Sequence, residues 1–199
     1  MAISADQVKA LRDATGAGMM DSKRALEATN GDLEKAKDWL RQKGIAKAGA
    51  KAARVAREGI IATYVHHNHQ LGVLLELNSE SDFVARNDEF RHLAHEIAVH
   101  IAAAEPKYLR RDDVPQDVLD RERAIFEGQA KDQKKPEAVI EKIIQGKMND
   151  FYKREVLLDQ AWAKDDKRTV DQMLKEAIAK LGENITISRF SRFKVGEAS

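Results

Sequence analysis

The stretch that most constrains the fold runs from an apolar strand pattern, through a polar corner, into a long helix. The strand pattern covers residues 72–77, the corner covers residues 79–87, and the helix pattern begins at Asp88. A polar corner usually carries turn and capping residues, yet this one contains Phe83 beside Asp82. Phe83 either folds back into the core or points outward toward a partner, and the residue pattern by itself leaves both open.

The helix after the corner has the clearest periodicity in the chain. Asn87 is a suitable N-cap, and Asp88 and Glu89 follow it at the positive end of the helix. Apolar residues then recur at helical spacing over more than three turns: Phe90, Leu93, Ala94, Ile97, Ala98 and Ile101. Because this helix begins only after the corner, Phe83 is free to face elsewhere.

The N-terminal region predicts three short helices. Ser4 and Gln7 form a capping-box pattern, residues 15–18 break the first helix, and Asp32 caps the third, which we expect to end before Gly44. These helices indicate a small bundle (residues 1–45) resembling the ubiquitin-associated type. A basic linker (residues 46–57) and a core (residues 58–199) follow.

Strand patterns mark the core. Residues 59–65 and 73–77 flank a turn at residues 67–70 and predict a β-hairpin, and residues 184–190 form a third strand pattern. The predicted fold class is therefore α+β: an N-terminal three-helix bundle, a linker, and a small antiparallel sheet with helices packed on one face.

Composition narrows the functional class. The chain of 199 residues is 43% hydrophobic and 34% charged, contains no cysteine, and begins without a basic-then-apolar signal pattern. This predicts a cytoplasmic protein without disulfides or membrane spans. With 34 basic and 33 acidic residues, the chain lacks the global positive field typical of nucleic-acid binders, so we expect no direct nucleic-acid partner.

Motifs of enzymes and cofactor sites are weak. The Gly16-Ala17-Gly18 sequence lacks the third glycine and the βαβ context of a dinucleotide site. His66, His67 and His69 cluster at the hairpin turn without an acidic partner in the pattern, which favours surface histidines over a metal site. We therefore expect no enzyme activity, no cofactor and no metal.

Two basic segments support an alternative function. Lys47, Lys51, Arg54 and Arg57 are spaced along one predicted helical face, and residues 189–194 interleave basic and aromatic side chains. An RNA-binding or ribosome-associated module would use both. A solvated linker helix and a charge-protected edge strand explain the same patterns.

Three segments together resemble the bacterial elongation factor Ts family in its short form. Residues 11–26 (LRDATGAGMMDSKRAL), residues 81–87 (SDFVARN) and residues 182–185 (GENI) are similar to the family's N-terminal, central and C-terminal signatures, in the same order. Two departures are small: Ser22 stands where many members have cysteine, and Ser81 where threonine is common.

The resemblance implies a nucleotide exchange factor for the GTPase elongation factor Tu, acting by binding and without covalent chemistry. It implies that Ser81, Asp82, Phe83 and Val84 form a corner that inserts beside the magnesium and phosphate site of the GTPase, so we expect Phe83 to point outward. It also implies that Arg12, Met19 and Met20 belong to a bundle surface that contacts the G domain. Adjacent methionines point about 100° apart on a helix, so at least one should be exposed. Short members also act as homodimers, which implies a two-plus-two complex.

Overall fold

The computed structural model describes residues 3–131 and 136–197. The three N-terminal helices are α1 (Ala5–Thr15), α2 (Met19–Ala28) and α3 (Leu33–Lys51). The hairpin strands β1 (Glu58–Val65) and β2 (Leu71–Ser79) lead into a single helical turn, α4 (Asp82–Ala85), and the long α5 (Asp88–Ala104). The remaining α-helices and strands are α6 (Gln116–Lys131), α7 (Glu137–Glu155), β3 (Ala161–Trp162), β4 (Asp165–Thr169), α8 (Val170–Leu181) and β5 (Ile185–Lys194).

The N-terminal helices begin and pack as their sequence predicts. The Ser4 hydroxyl accepts a hydrogen bond from the Gln7 amide at 3.2 Å, and the Gln7 side chain accepts one from the Ser4 amide at 3.0 Å. The Asp32 side chain accepts a hydrogen bond from the Lys35 amide at 3.1 Å, at the start of α3. The bundle encloses a small core of Val8, Leu11, Ala25, Leu26 and Ala36, against which Ile3, Trp39 and Leu40 pack.

The predicted end of the third helix is wrong. Helix α3 continues past Gly44 to Lys51 and so takes in about half of the predicted linker. A single glycine inside a helix costs only about 1 kcal/mol, and the alanines that follow it sustain the helix. The Gly44 position is also close to α8, since a Cβ added there would lie 3.1 Å from the Cβ of Ala179.

Strands β1, β2 and β5 form a three-stranded sheet with β2 in the centre, which confirms the hairpin and the C-terminal strand. Along β2, Val73, Leu75 and Leu77 are buried while Leu74 is exposed, as the alternation of side chains along a strand requires. Ala94, Ile97, Ala98 and Ile101 of α5 are also buried.

Two features of the C-terminal half are less apparent in the sequence. Strands β3 and β4 form a second, two-stranded antiparallel sheet, which the residue pattern did not predict because β3 is only two residues long. Helices α6 and α7 pack together through Ala130, Ile144 and Met148, with partly buried apolar residues around them. The α+β fold class is confirmed.

The chain divides into two compact units. One comprises Met1–Gly59, Asn78–Phe90 and Gln172–Thr186, and the other comprises Ile60–Leu77, Arg91–Asp171 and Ile187–Ser199. The corner at residues 79–87 therefore clusters with the N-terminal helices and most of α8. Within the described ranges, 3–131 and 136–197, no helix is long and apolar enough to cross a bilayer.

Candidate partner-binding site

The corner between β2 and α5 is built around a capped helical turn. Ser81 has an extended backbone (φ −125°, ψ 157°) and serves as the N-cap of α4. Its hydroxyl accepts a hydrogen bond from the Val84 amide at 3.3 Å, and its carbonyl accepts one from the Ala85 amide at 3.3 Å. A serine N-cap satisfies amides that have no partner inside the helix, so this turn forms where the sequence places it.

Phe83 points outward from the turn. Its side chain is 80% exposed, whereas the neighbouring Val84 and Ala85 are buried. Successive residues of a helix point about 100° apart, so anchoring the turn through Val84 and Ala85 directs Phe83 to the opposite side. The prediction that Phe83 faces away from the core is confirmed.

The other predicted corner residues differ in what they expose. Asp82 is exposed, and its carboxylate lies 2.9 Å from the guanidinium of Arg86, one helical turn onward. Val84 is buried and so supports the turn from inside. Exposed ion pairs of this kind add little stability. We therefore interpret the Asp82–Arg86 pair as one that orients the Asp82 side chain within the corner.

A carboxylate far along the chain holds the N-cap residue. Glu183 accepts two hydrogen bonds from Ser81, one from its amide at 3.0 Å and one from its hydroxyl at 2.6 Å. The sequence patterns did not predict this role of Glu183. Glu183 lies within the C-terminal segment that resembles a family signature, but nothing in a single sequence pairs residues 102 positions apart.

The turn that carries Glu183 is itself fixed. The Asn184 amide donates to the Glu80 carboxylate at 2.6 Å, and the Asn184 side chain donates to the Arg54 carbonyl at 2.7 Å. Asn184 is buried, with 1% of its surface exposed. A buried side-chain amide that is hydrogen-bonded to the backbone restrains the segment around it, so both ends of the corner are tied to their surroundings.

The predicted bundle residues lie on the surface of the same compact unit as the corner. Met19 and Met20, at the start of α2, are 49% and 60% exposed. The prediction that at least one of them is a surface residue is confirmed, and in fact both are. Arg12 is exposed in the last turn of α1. Exposed methionines are adaptable apolar contacts, and an exposed arginine in the same bundle is a second residue type common in partner surfaces.

Two cations of the basic linker make contacts within the chain. The Lys51 ammonium donates to the Gly182 carbonyl at 2.6 Å. The Arg54 guanidinium lies 3.4 Å from the Glu80 carboxylate. These contacts give both residues a structural role beside the corner.

The basic C-terminal strand is also matched by carboxylates. Arg189 lies 2.8 Å from Glu76, Arg192 lies 2.9 Å from Glu197, and Lys194 lies 3.5 Å from the same carboxylate. These pairs lower the positive potential that an RNA-binding face needs. The RNA-binding alternative stays an untested prediction.

The histidines near the hairpin interact with one another and with a tyrosine. His66 shares a hydrogen bond of 2.7 Å with the Tyr64 hydroxyl, and the His66 and His67 rings lie 4.2 Å apart. In the part of the chain that the structure describes, no three His, Cys, Asp or Glu side chains are grouped so that they could hold a metal ion.

An aromatic side chain displayed on a capped turn, with exposed methionines in the same unit, is typical of a protein that acts through a binding surface. Comparison with known proteins identifies the class more closely. The family model described as elongation factor TS matches residues 19–197. The chain belongs to the elongation factor Ts family.

Curated relatives agree over nearly the whole chain. Elongation factor Ts of Thermosipho melanesiensis is 57% identical over 195 residues, covering 98% of this chain and 100% of that protein. Elongation factor Ts of Fervidobacterium nodosum is 55% identical over 197 residues, covering 99% and 100%. Elongation factor Ts of Geobacter sulfurreducens is 51% identical over 197 residues, covering 99% and 91%.

Members of this family are nucleotide exchange factors of translation elongation, acting on elongation factor Tu. The chain is therefore an exchange factor and not a catalyst of covalent chemistry.

Proposed function

We propose that this chain releases GDP from elongation factor Tu by inserting Phe83 beside the magnesium and phosphate site of the GTPase. The observation that carries the proposal is the 80% exposure of Phe83 on a turn whose neighbours are buried. A rigidly displayed aromatic side chain is a typical anchor of protein interfaces, since it buries a large area at low entropic cost.

In the proposed mechanism, the factor and GDP weaken each other's binding to the GTPase. GTPases hold their nucleotide largely through its phosphates and Mg²⁺, so a wedge that disturbs this site weakens GDP binding. By linkage, GDP weakens binding of the factor by the same ratio. The factor then forms a transient nucleotide-free complex, which GTP resolves when it binds.

In this proposal the corner and the three-helix bundle each contact the GTPase. Phe83 is the wedge, Asp82 orients the corner through polar contact, and Ser81 and Val84 shape it. The three-helix bundle (residues 1–45) contacts the G domain through Arg12, Met19 and Met20, and residues 46–57 connect it to the core. The exposure of both methionines supports this assignment.

The core (residues 58–199) serves for dimerisation, giving a two-plus-two complex with the GTPase in the cytoplasm. The supporting observation is an apolar sheet surface consisting of Ile61 and Val65 on β1 and Leu74 on β2, all exposed. Phe193 on β5 is also exposed. Apolar patches of this kind on a sheet mark interaction surfaces, and a second copy would cover this one.

The test is release of fluorescent GDP from elongation factor Tu, measured by stopped flow with and without this protein. We expect the release rate to rise with the concentration of the factor and then to saturate. Absence of acceleration at micromolar concentrations would contradict the proposed function. Retention on RNA that weakens with salt would instead favour the RNA-binding alternative.

A further inference from the structure

We propose that Glu183 is a positioning residue for Phe83, which it acts on through Ser81. The inference rests on the proposed function, because positioning matters for exchange only if Phe83 contacts the GTPase. Glu183 is half-buried and belongs to the turn between α8 and β5.

The Glu183 carboxylate is bonded to Ser81 through both of its oxygens. Each of its two oxygens accepts one hydrogen bond from Ser81, the amide at 3.0 Å and the hydroxyl at 2.6 Å. A hydroxyl has one proton to donate and two lone pairs that accept. Because Glu183 takes the proton, the lone pairs of Ser81 are left to accept the Val84 amide, which lies 3.3 Å away. Glu183 therefore orients the capping hydroxyl.

The turn that carries Phe83 is too short to be stable by itself. Helix α4 has four residues, and a helix this short has no intrinsic stability in water. Its conformation must come from its contacts. The Ser79 hydroxyl donates to the Ser81 carbonyl at 2.8 Å, so Ser81 is bonded through its amide, hydroxyl and carbonyl. Phe83 lies two residues beyond this fixed point.

The backbone on both sides of Glu183 is held by hydrogen bonds. Asn184, next to Glu183, is buried and bonded to both Glu80 and Arg54. Lys51 also donates to the carbonyl of Gly182, on the other side of Glu183. A side chain positions its neighbour well only when its own backbone is held, and these contacts hold it.

The expected consequence is a change in apparent affinity for the GTPase. When only a fraction of the factor holds the binding-competent corner, the apparent dissociation constant rises in inverse proportion to that fraction. Once docked, the partner holds the corner in place. Loss of Glu183 should therefore raise the factor concentration that gives half-maximal GDP release and leave the maximal rate nearly unchanged.

The experiment compares wild type, Glu183→Ala, Glu183→Gln and a matched control, Glu141→Ala, in the GDP-release assay. Glu141 is an exposed carboxylate on α7, paired with Arg123. We expect Glu183→Ala to raise the half-maximal concentration roughly three- to tenfold, as loss of charge-assisted hydrogen bonds implies. Glu183→Gln keeps the length of the side chain but has one acceptor oxygen for the two Ser81 donors, so its half-maximal concentration should lie between those of wild type and Glu183→Ala.

A second pair of variants tests whether Glu183 acts through Ser81. Threonine and valine have nearly the same shape, but only threonine carries a hydroxyl. We expect Glu183→Ala to keep its full effect in the Ser81→Thr background, because the hydroxyl that Glu183 orients is retained. In the Ser81→Val background, Glu183→Ala should have a smaller effect than in wild type, because the hydroxyl it orients is absent.

Hydrogen exchange in the free protein supplies a readout independent of the GTPase. The amides of Ser81, Val84 and Ala85 should exchange faster in Glu183→Ala than in wild type and in Glu141→Ala. If wild type fails to release GDP, the proposed function is wrong, and this measurement still decides whether Glu183 orders the corner.

Two outcomes would overturn the inference. One is a Glu183→Ala variant with the half-maximal concentration and the amide exchange of Glu141→Ala. The other is a half-maximal concentration for Glu183→Ala that returns to the wild-type value once it is expressed per folded molecule, with the folded fraction taken from circular dichroism, since that pattern reports a purely structural role.

Discussion

Phe83 and Phe90 form a matched pair of aromatic residues with opposite environments. Phe83 is 80% exposed, and Phe90, at the start of α5, is fully buried. We predict that Phe83→Ala changes the free energy of unfolding by less than about 0.5 kcal/mol. If Phe83 is an interface anchor, the same change should lower the maximal rate of GDP release about 30-fold. Denaturant unfolding and stopped flow measure the two effects.

The buried member of the pair is the control. Phe90→Ala should destabilise the fold by about 3–5 kcal/mol, because it removes a large side chain and leaves a cavity. A similar loss of stability for Phe83→Ala would contradict the outward orientation. Unchanged GDP release by Phe83→Ala would contradict its role as the wedge.

Ser22 carries a buried hydroxyl that has no hydrogen-bond partner in the described part of the chain. Leaving a buried polar atom unsatisfied costs about 1–3 kcal/mol, and alanine is also the better helix former. We predict that Ser22→Ala raises stability by about 0.5–1 kcal/mol, measured by urea unfolding.

The control for Ser22 is a serine that does have a partner. Ser4→Ala should lower stability by about 1 kcal/mol, because the Ser4 hydroxyl caps α1. A loss of stability in Ser22→Ala as well would show that the Ser22 hydroxyl is satisfied in solution.

At the scale of elements, α3 contains two glycines in different surroundings. A Cβ at Gly49 would meet nothing within 4 Å, whereas one at Gly44 would lie 3.1 Å from Ala179. We predict that Gly49→Ala stabilises the protein by about 0.5–1 kcal/mol through helix propensity. Gly44→Ala should gain less or lose stability. Equal gains at both positions in thermal unfolding would contradict the close approach of α3 and α8.

A second element-scale prediction concerns His100 on α5. This ring is buried, stacks on Trp162 at 5.1 Å, and accepts a hydrogen bond at Nδ1 from the Ala163 amide at 3.3 Å. Its Nε2 lies 3.0 Å from the side-chain oxygen of Gln160. Burial lowers the pKa of His100, and the Gln160 hydrogen bond offsets this only in part. The neutral ring therefore fits the site, with its proton on Nε2.

The sign of the pH effect follows from that lowered pKa. The unfolded chain takes up the proton near the ordinary value of 6.5, so the stability that depends on neutral His100 is present above that pH. It is lost progressively as the pH falls toward the folded pKa. We predict that wild type loses more stability between about pH 7 and pH 5 than His100→Asn does. Thermal unfolding at both pH values measures the loss. An equal loss of stability in wild type and in His100→Asn would contradict the prediction.

At the scale of the whole molecule, the apolar sheet surface of Ile61, Val65 and Leu74 bears on assembly. If a second copy covers it, Ile61→Lys should bury an unpaired charge and shift the protein toward the monomer. Analytical ultracentrifugation measures the shift. The matched control is Ile125→Lys, an exposed isoleucine on α6. A monomeric wild type, or equal behaviour of the two variants, would contradict dimerisation through this surface.

Much of the fold follows from local patterns in the sequence. The capping box of Ser4 and Gln7, the Asp32 cap and the period of α5 involve residues within a few positions of one another. Such interactions depend little on the rest of the chain. The signature segments likewise carried the family without any tertiary information, and the comparisons confirmed it.

Only the tertiary structure showed the features that depend on contacts between distant segments. The exposure of Phe83 and the two hydrogen bonds from Ser81 to Glu183 each depend on how distant segments pack. Burial and long-range hydrogen bonds are properties of pairs that one sequence does not specify. The sequence by itself therefore determined most of the helices, the strands of the three-stranded sheet and the corner, and only the folded chain determined which way the corner faces and what holds it.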